Sequence, residues 1–172
     1  MRCLFLDIDG CLNSRDWFMQ NHVARMEERE KRGEGAEFAK EFCHPLGHLC
    51  PELIERLNRI VELTDCRIVI SSAWRIGHTP REIGGYLTQK GFRHADKIIG
   101  ATGQNSEDAR GGEIQEWLDE HPEVTKYVIL DDDTADIIGD YTTKKHPHNF
   151  VHVSFEKGLQ DEHIRKCVEI LN

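Results

Sequence analysis

The sequence predicts an α/β fold built on a doubly wound parallel sheet, on three observations. Short apolar runs recur at Cys3-Leu4-Phe5-Leu6, Arg67-Ile68-Val69-Ile70, Tyr127-Val128-Ile129-Leu130 and Phe150-Val151-His152-Val153. They have the length and near-continuous hydrophobicity of strands covered on both faces. Segments with helical spacing of apolar residues alternate with these runs, as in a parallel sheet flanked by helices. Three of the runs stop at polar clusters, Asp7/Asp9, Ser71/Ser72 and Asp131/Asp132/Asp133, where open α/β sheets place their ligands.

The first strand, around residues 2–7, ends in two acids one residue apart, followed by Gly10. Strand alternation sends Asp7 and Asp9 toward the same side, and glycine allows a sharp turn. Residues 15–42 are rich in Arg and Glu, with Trp17, Phe18, Met19, Val23 and Met26 as apolar members. The stretch from Met26 to Arg32 is helical in pattern and broken by Gly33 and Gly35, so residues 14–50 read as a small helical flap inserted in one domain of residues 1–172. Pro51 opens a helix carrying Leu53, Ile54, Leu57, Ile60, Val61 and Leu63 at helical spacing. The second strand follows at 67–70. Thr79-Pro80 caps a helix with Ile83, Tyr86 and Leu87. Ile98-Ile99 is a short strand, residues 100–109 a polar loop, and Gly112 to His121 a helix with Ile114, Trp117 and Leu118 inward. The strands at 127–130 and 150–153 and a helix over 160–171 complete the chain.

Composition narrows the function classes. The 172 residues fit one domain with a substantial core. A net charge of −9 argues against a protein that coats nucleic acid, since such binding depends on phosphate neutralisation by Lys and Arg. A local basic pocket remains compatible with it. No apolar run approaches a membrane span, and the start of the chain has no signal-peptide pattern. Six cysteines without C-x-x-C pairs, several in apolar contexts (Cys3, Cys66, Cys167), suggest reduced core thiols. A cytoplasmic protein without membrane association is expected.

Convergence of the three strand ends on one crevice brings at least four carboxylates together. Two carboxylates about 4 Å apart repel by roughly 4 kcal/mol at an effective dielectric near 20, so the cluster calls for a cation or a shared proton. An all-oxygen, highly charged ligand set suits Mg²⁺. One carboxylate can attack a bound phosphoryl group, and a second can protonate the leaving oxygen and then deprotonate water. The hydroxyl and backbone N–H of Ser71 can hold phosphate oxygens, and Arg75 and Arg110 are the candidate cations for them.

Phe5-Leu-Asp-Ile-Asp-Gly-Cys-Leu12, Ile68-Val-Ile-Ser-Ser72 and Ile129-Leu-Asp-Asp-Asp-Thr-Ala-Asp136 resemble three motifs of the haloacid-dehalogenase (HAD) superfamily. Ile70-Ser-Ser-Ala-Trp-Arg75 and Arg110-Gly-Gly-Glu-Ile-Gln-Glu-Trp-Leu118 are similar to the small HAD domains of Swiss-army-knife RNA repair proteins. The resemblance runs over residues 2–160, loosely over 15–45. It implies a Rossmann-like sheet of strand order 3-2-1-4-5 with a small cap. It implies Asp7 as nucleophile, Asp9 as acid/base, and Ser71, with Ser72 beside it, as phosphoryl binders. Mg²⁺ would be held by Asp7, the Asp9 carbonyl and Asp132, with Asp131 and Asp136 in support, and Arg110 would be the conserved cation of the third motif. The implied activity is a phosphomonoesterase acting on nucleic-acid ends, with a 3′- or 5′-phosphate on RNA or DNA, or on nucleotides. A functional link to a kinase or ligase and the oligomeric state stay open.

Two other readings compete. A phosphoacceptor receiver domain also has early acids, a Ser/Thr and a late lysine, here Lys157. A catalytically silent module that binds Mg²⁺ or phosphate is the other. Cys43, His44, His48 and Cys50 have residue types suited to Zn²⁺, but their spacing matches no common zinc pattern and Pro45 and Gly47 make a tight turn of it. Trp74 and Trp117 read as packing residues, Trp17 and Phe18 as candidates for base stacking near the mouth of the site. His78, His121, His146, His148 and His152 are expected on surfaces or loops.

Overall fold

The structure, a computed structural model, describes residues 1–34, 44–104, 110–135 and 146–172. Five parallel strands, β1 (Arg2–Leu6), β2 (Arg67–Ile70), β3 (Ile98–Ala101), β4 (Lys126–Asp131) and β5 (Phe150–His152), form one sheet in the order β3-β2-β1-β4-β5. This is the HAD-like order expected above. A receiver-type sheet would run 2-1-3-4-5, so the topology removes the receiver reading. Each expected strand is present, with ends displaced by one or two residues.

Alternation along the central strands divides the core. Leu4, Leu6, Ile68, Ile70, Val128 and Leu130 face the layer of α3 (Pro51–Thr64), α4 (Pro80–Gln89) and α6 (Asp161–Leu171) and pack with Ile54, Leu57, Leu87 and Cys167. Cys3, Phe5, Val69 and Ile129 face the other way, onto Ile114 and Trp117 of α5 (Arg110–Glu120). Phe5 meets the edge of Trp117 at 5.4 Å between ring centroids, a geometry that adds about 1 kcal/mol to the area it buries. Thr79 and Glu82 form a reciprocal cap that starts α4. The described cysteines, Cys3, Cys11, Cys50, Cys66 and Cys167, are all free and buried.

Between β1 and α3 the chain forms α1 (Arg15–Phe18), a π turn (Met19–Val23) and α2 (Ala24–Lys31). Ser14 caps this helical insert through its hydroxyl, which accepts from the Trp17 amide at 3.2 Å. The insert is tied down at both sides. The Arg15 and Asp16 amides donate to the Phe155 and Glu156 carbonyls, and the His22 ring bonds the Gly47 carbonyl at 2.6 Å. Gly35 and Cys43 lie outside the described residues. Among the described residues no helix is long and apolar enough to cross a membrane.

Candidate active site

Register and parity build the site. Leu6 pairs with Ile70 and with Leu130, so the next residues, Asp7, Ser71 and Asp131, stand level at the carboxyl end of the sheet. The ladder continues there, with the Asp7 amide donating to Leu130 O and the Ser71 amide to Leu6 O, both at 2.9 Å. Asp7 follows Cys3 and Phe5, Ser71 follows Val69, and Asp131 follows Ile129 in the alternation, so all three belong to the face covered by α5. Arg110 opens that helix.

The result is a compact charged cluster. Oxygens of Asp7, Asp131 and Asp132 lie within 4.8 Å of one another. Arg110 Nη1 reaches Asp131 Oδ2 at 2.6 Å and Asp7 Oδ1 at 3.3 Å, and the Asp133 amide donates to Asp131 Oδ1 at 2.9 Å. Burial is the first cause that pushes the Asp7 carboxyl up, reinforced by the charge of Asp131 and opposed by Arg110 and a hydrogen bond from Ser72. Burial also raises Asp131 and Asp132, again against Arg110. Carboxyls in this state are short of positive charge. The donor set is all oxygen and acidic, which fits a hard divalent cation such as Mg²⁺.

Gly10 closes the floor of the cluster. Its φ of +76° is left-handed, and a Cβ there would stand 2.5 Å from Asp132 Cγ. The same turn separates the first two acids. The strand stops at Leu6, the chain folds back with the Cys11 and Leu12 amides on Ile8 O, and Asp9 emerges exposed while Asp7 is 4% exposed. The turn thus sets the two acids at different depths, Asp7 buried and Asp9 at the surface. Asp9 is fixed separately: Trp74 Nε1 donates to Oδ2 at 3.0 Å and Asn13 Nδ2 to Oδ1 at 2.8 Å. Asn13 in turn accepts from the Gly10 amide.

The serines divide their work. Ser72 caps the 3₁₀ turn Ala73–Ile76. Ser71 Oγ is fully buried and has no hydrogen-bond partner among the described residues, an arrangement that costs energy unless a ligand satisfies it. The Ser71 amide is committed to the ladder, which corrects the expectation that it could hold phosphate. Arg75 points its guanidinium at protein acceptors: Glu113 Oε2, Ser72 O at 2.7 Å and Gly103 O at 3.2 Å. It braces the loops after β2 and β3, while Arg110 is the arginine at the acids.

Other residues fall differently from expectation. His146 is buried, not on the surface, and its ring bonds Gly111 O and Tyr127 OH, both at 2.8 Å, pinning the start of α5. Trp117 packs in the core and Trp74 against it, both as expected, and the half-buried Trp74 also serves Asp9. Among the described residues His44, His48 and Cys50 form no metal-sized cluster, and the Cys50 thiol donates to Glu52. Asp136 lies outside the described residues. Asn13 and Glu113 were missed in the sequence. The D-x-D-G-x-x-N spacing is the one available signal for Asn13, and nothing in the local sequence marks Glu113 as the partner of Arg75.

The model of the family described as the HAD domain in Swiss Army Knife RNA repair proteins matches residues 3–164, and the chain belongs to that family. No curated protein and no solved structure matches it.

Proposed function

We propose that this HAD domain is a Mg²⁺-dependent phosphomonoesterase that works through an aspartyl-phosphate and acts on the phosphorylated ends of nucleic acids or on nucleotides. The superfamily is one of hydrolases and phosphatases. The observation that carries the reading is the trio Asp7, Asp131 and Asp132, with oxygens within 4.8 Å and Arg110 bridging two of them.

In this reading Asp7 attacks phosphorus, and a new Asp7–phosphorus bond forms as the ester bond to the leaving oxygen breaks. Asp9 gives its proton to that oxygen. Asp9 then takes a proton from water, which attacks the phosphoryl-aspartate, releases phosphate and regenerates Asp7. Arg110 favours the ionised form of Asp7 against its burial, and the Ser71 hydroxyl, without a partner among the described residues, donates to a phosphoryl oxygen. Mg²⁺, held by Asp7, Asp132, the Asp9 carbonyl and Asp131 in support, would neutralise the non-bridging oxygens. The indole and amide that clamp Asp9 set its carboxyl at the mouth, where a leaving oxygen would stand. A working link to a kinase or ligase fits such a repair role.

The test is phosphate release with and without Mg²⁺ from 3′- and 5′-phosphorylated oligonucleotides, mononucleotides and sugar phosphates. Asp7→Asn is the blank. Mg²⁺-dependent release by the native chain and none by the variant is expected. Release that survives Asp7→Asn removes the nucleophile, and no release from any ester returns the chain to a silent Mg²⁺/phosphate-binding module.

A further inference from the structure

We propose that the cavity walled by Trp17, Phe18, Met19 and Phe155 beside Asp9 is a leaving-group subsite, and that it takes the planar base of the nucleotide whose phosphate sits at Asp7. The proposal rests on the phosphatase reading above. Asp7 is buried and Asp9 exposed, so the ester enters with its phosphate inward and its leaving oxygen at Asp9. The body attached to that oxygen must then occupy space that touches Asp9. A cavity of about 480 Å³ does so, and Asp9, His48 and the four apolar residues are among those that line it. Its size is in the range of small-molecule sites, roughly 300–1,000 Å³.

The walls favour one chemical class. Trp17, Phe18, Met19 and Phe155 belong to neither core cluster, and Met19 and Phe155 are about half exposed. Apolar groups gathered at a cleft without a part in the core mark a binding surface. Asn13, Ser14 and Arg15 also line the cavity, but they are engaged by Asp9 and Gly10, by the Trp17 amide and by Glu156, so a sugar alone would find few partners for its hydroxyls. A base presents a flat π face, which stacks on aromatic side chains with little regard to its identity. The Trp17 ring is braced edge-on by His22 at 5.2 Å between centroids, and His22 is held by Gly47 O, so this wall is set before a ligand arrives. The main chain of Phe155 is joined to that of Arg15, which fixes the opposite wall to the insert.

The experiment compares nucleoside monophosphates with ribose 5-phosphate, using native protein, Trp17→Ala, Phe155→Ala, Trp17→Phe and, as a control on the far side of the molecule, Leu63→Ala. The readout is the ratio of kcat/KM for the base-bearing ester to that for the base-free one. Loss of one stacking partner should lower this ratio about tenfold in either alanine variant. Trp17→Phe should keep most of it, and Leu63→Ala should leave the ratio at the native value. A ratio within about twofold of native in both alanine variants overturns the subsite, as does a native preference for ribose 5-phosphate. A second arm needs no turnover: the affinities of adenosine 5′-monophosphate and ribose 5-phosphate for Asp7→Asn, with and without Phe155→Ala, by calorimetry. Base-dependent affinity without hydrolysis by the native chain would sink the phosphatase reading and keep the subsite. Hydrolysis with an unmoved ratio would do the reverse.

Discussion

Glu113→Ala tests how the site is braced. Glu113 and Arg75 form an ion pair whose side chains are 8% and 9% exposed, and the same guanidinium holds Ser72 O and Gly103 O. Removing the carboxylate leaves a buried cation with two neutral carbonyls. Breaking a buried pair in this way costs about 3–5 kcal/mol, which agrees with roughly 4 kcal/mol of Coulomb attraction at about 4 Å and an effective dielectric near 20. Against a total stability of about 5–15 kcal/mol for a domain, the loss is severe but measurable. With a urea m-value of about 2 kcal/mol/M, the unfolding midpoint should fall by roughly 1.5–2.5 M. Arg75→Met/Glu113→Ala should be less destabilised than the two single losses added, because neither charge is left alone. Phosphate turnover should fall with Glu113→Ala, since the Ser71-Ser72 loop loses its brace. A loss under about 1 kcal/mol, or strict additivity in the double variant, would refute the buried-pair account.

Three further outcomes are expected. Gly10→Ala should abolish the rise in Tm expected for the native chain with Mg²⁺, because its Cβ would stand 2.5 Å from Asp132 Cγ. Gly33→Ala, at the same left-handed φ but with nothing within 4 Å, should cost only the strain of about 1–2 kcal/mol and keep the Mg²⁺ response. Arg110→Met removes the cation shared by Asp7 and Asp131, so turnover at pH 7 should drop at least about 100-fold, the acidic limb of the pH–rate profile should move to higher pH, and Arg110→Lys should recover part of both. In chelator, the raised carboxyls of Asp7, Asp131 and Asp132 should make the native chain lose stability as pH rises above the ordinary carboxylate range near 4. The unfolded chain releases those protons first, so the penalty on the folded one grows until it releases them too and stays in full above that pH. Mg²⁺ needs the ionised forms, so its increment in Tm should be larger at pH 8 than at pH 5, which thermal melts across pH would show.

Much of this was legible because short-range pattern fixed it. Continuous apolar runs marked the strands, and the acids and serines at their ends marked the crevice. The Thr79-Pro80 start and the helix carrying Leu53 to Leu63 followed from local chemistry. What stayed hidden depended on partners far apart in the chain. Trp74 and Asn13 meet at Asp9 from two different loops, and nothing in either segment announces the other. His146 sits in a polar stretch yet is buried by Gly111 and Tyr127. The commitment of the Ser71 amide to Leu6 O is a matter of strand register, which a parallel pair of uniformly apolar strands does not encode in its side-chain pattern.

The two arginines show how placement decides chemistry that residue type leaves open. In the sequence both Arg75 and Arg110 are candidates to meet phosphate, and the family resemblance singles out Arg110. In the fold Arg75 is matched by Glu113 and adds no net charge to the crevice, whereas Arg110 lies against Asp7 and Asp131. Three carboxylates set against one guanidinium leave two negative charges when all are ionised. A phosphate ester approaching Asp7 would be repelled by that excess, and the carboxyls would relieve it by staying protonated, the direction in which burial already pushes them. A single divalent cation would cancel the excess and favour Asp7 as an anion able to attack. The charge balance of the three acids and Arg110 thus asks for one Mg²⁺ per site, and a titration of Tm against Mg²⁺ that required two would break it.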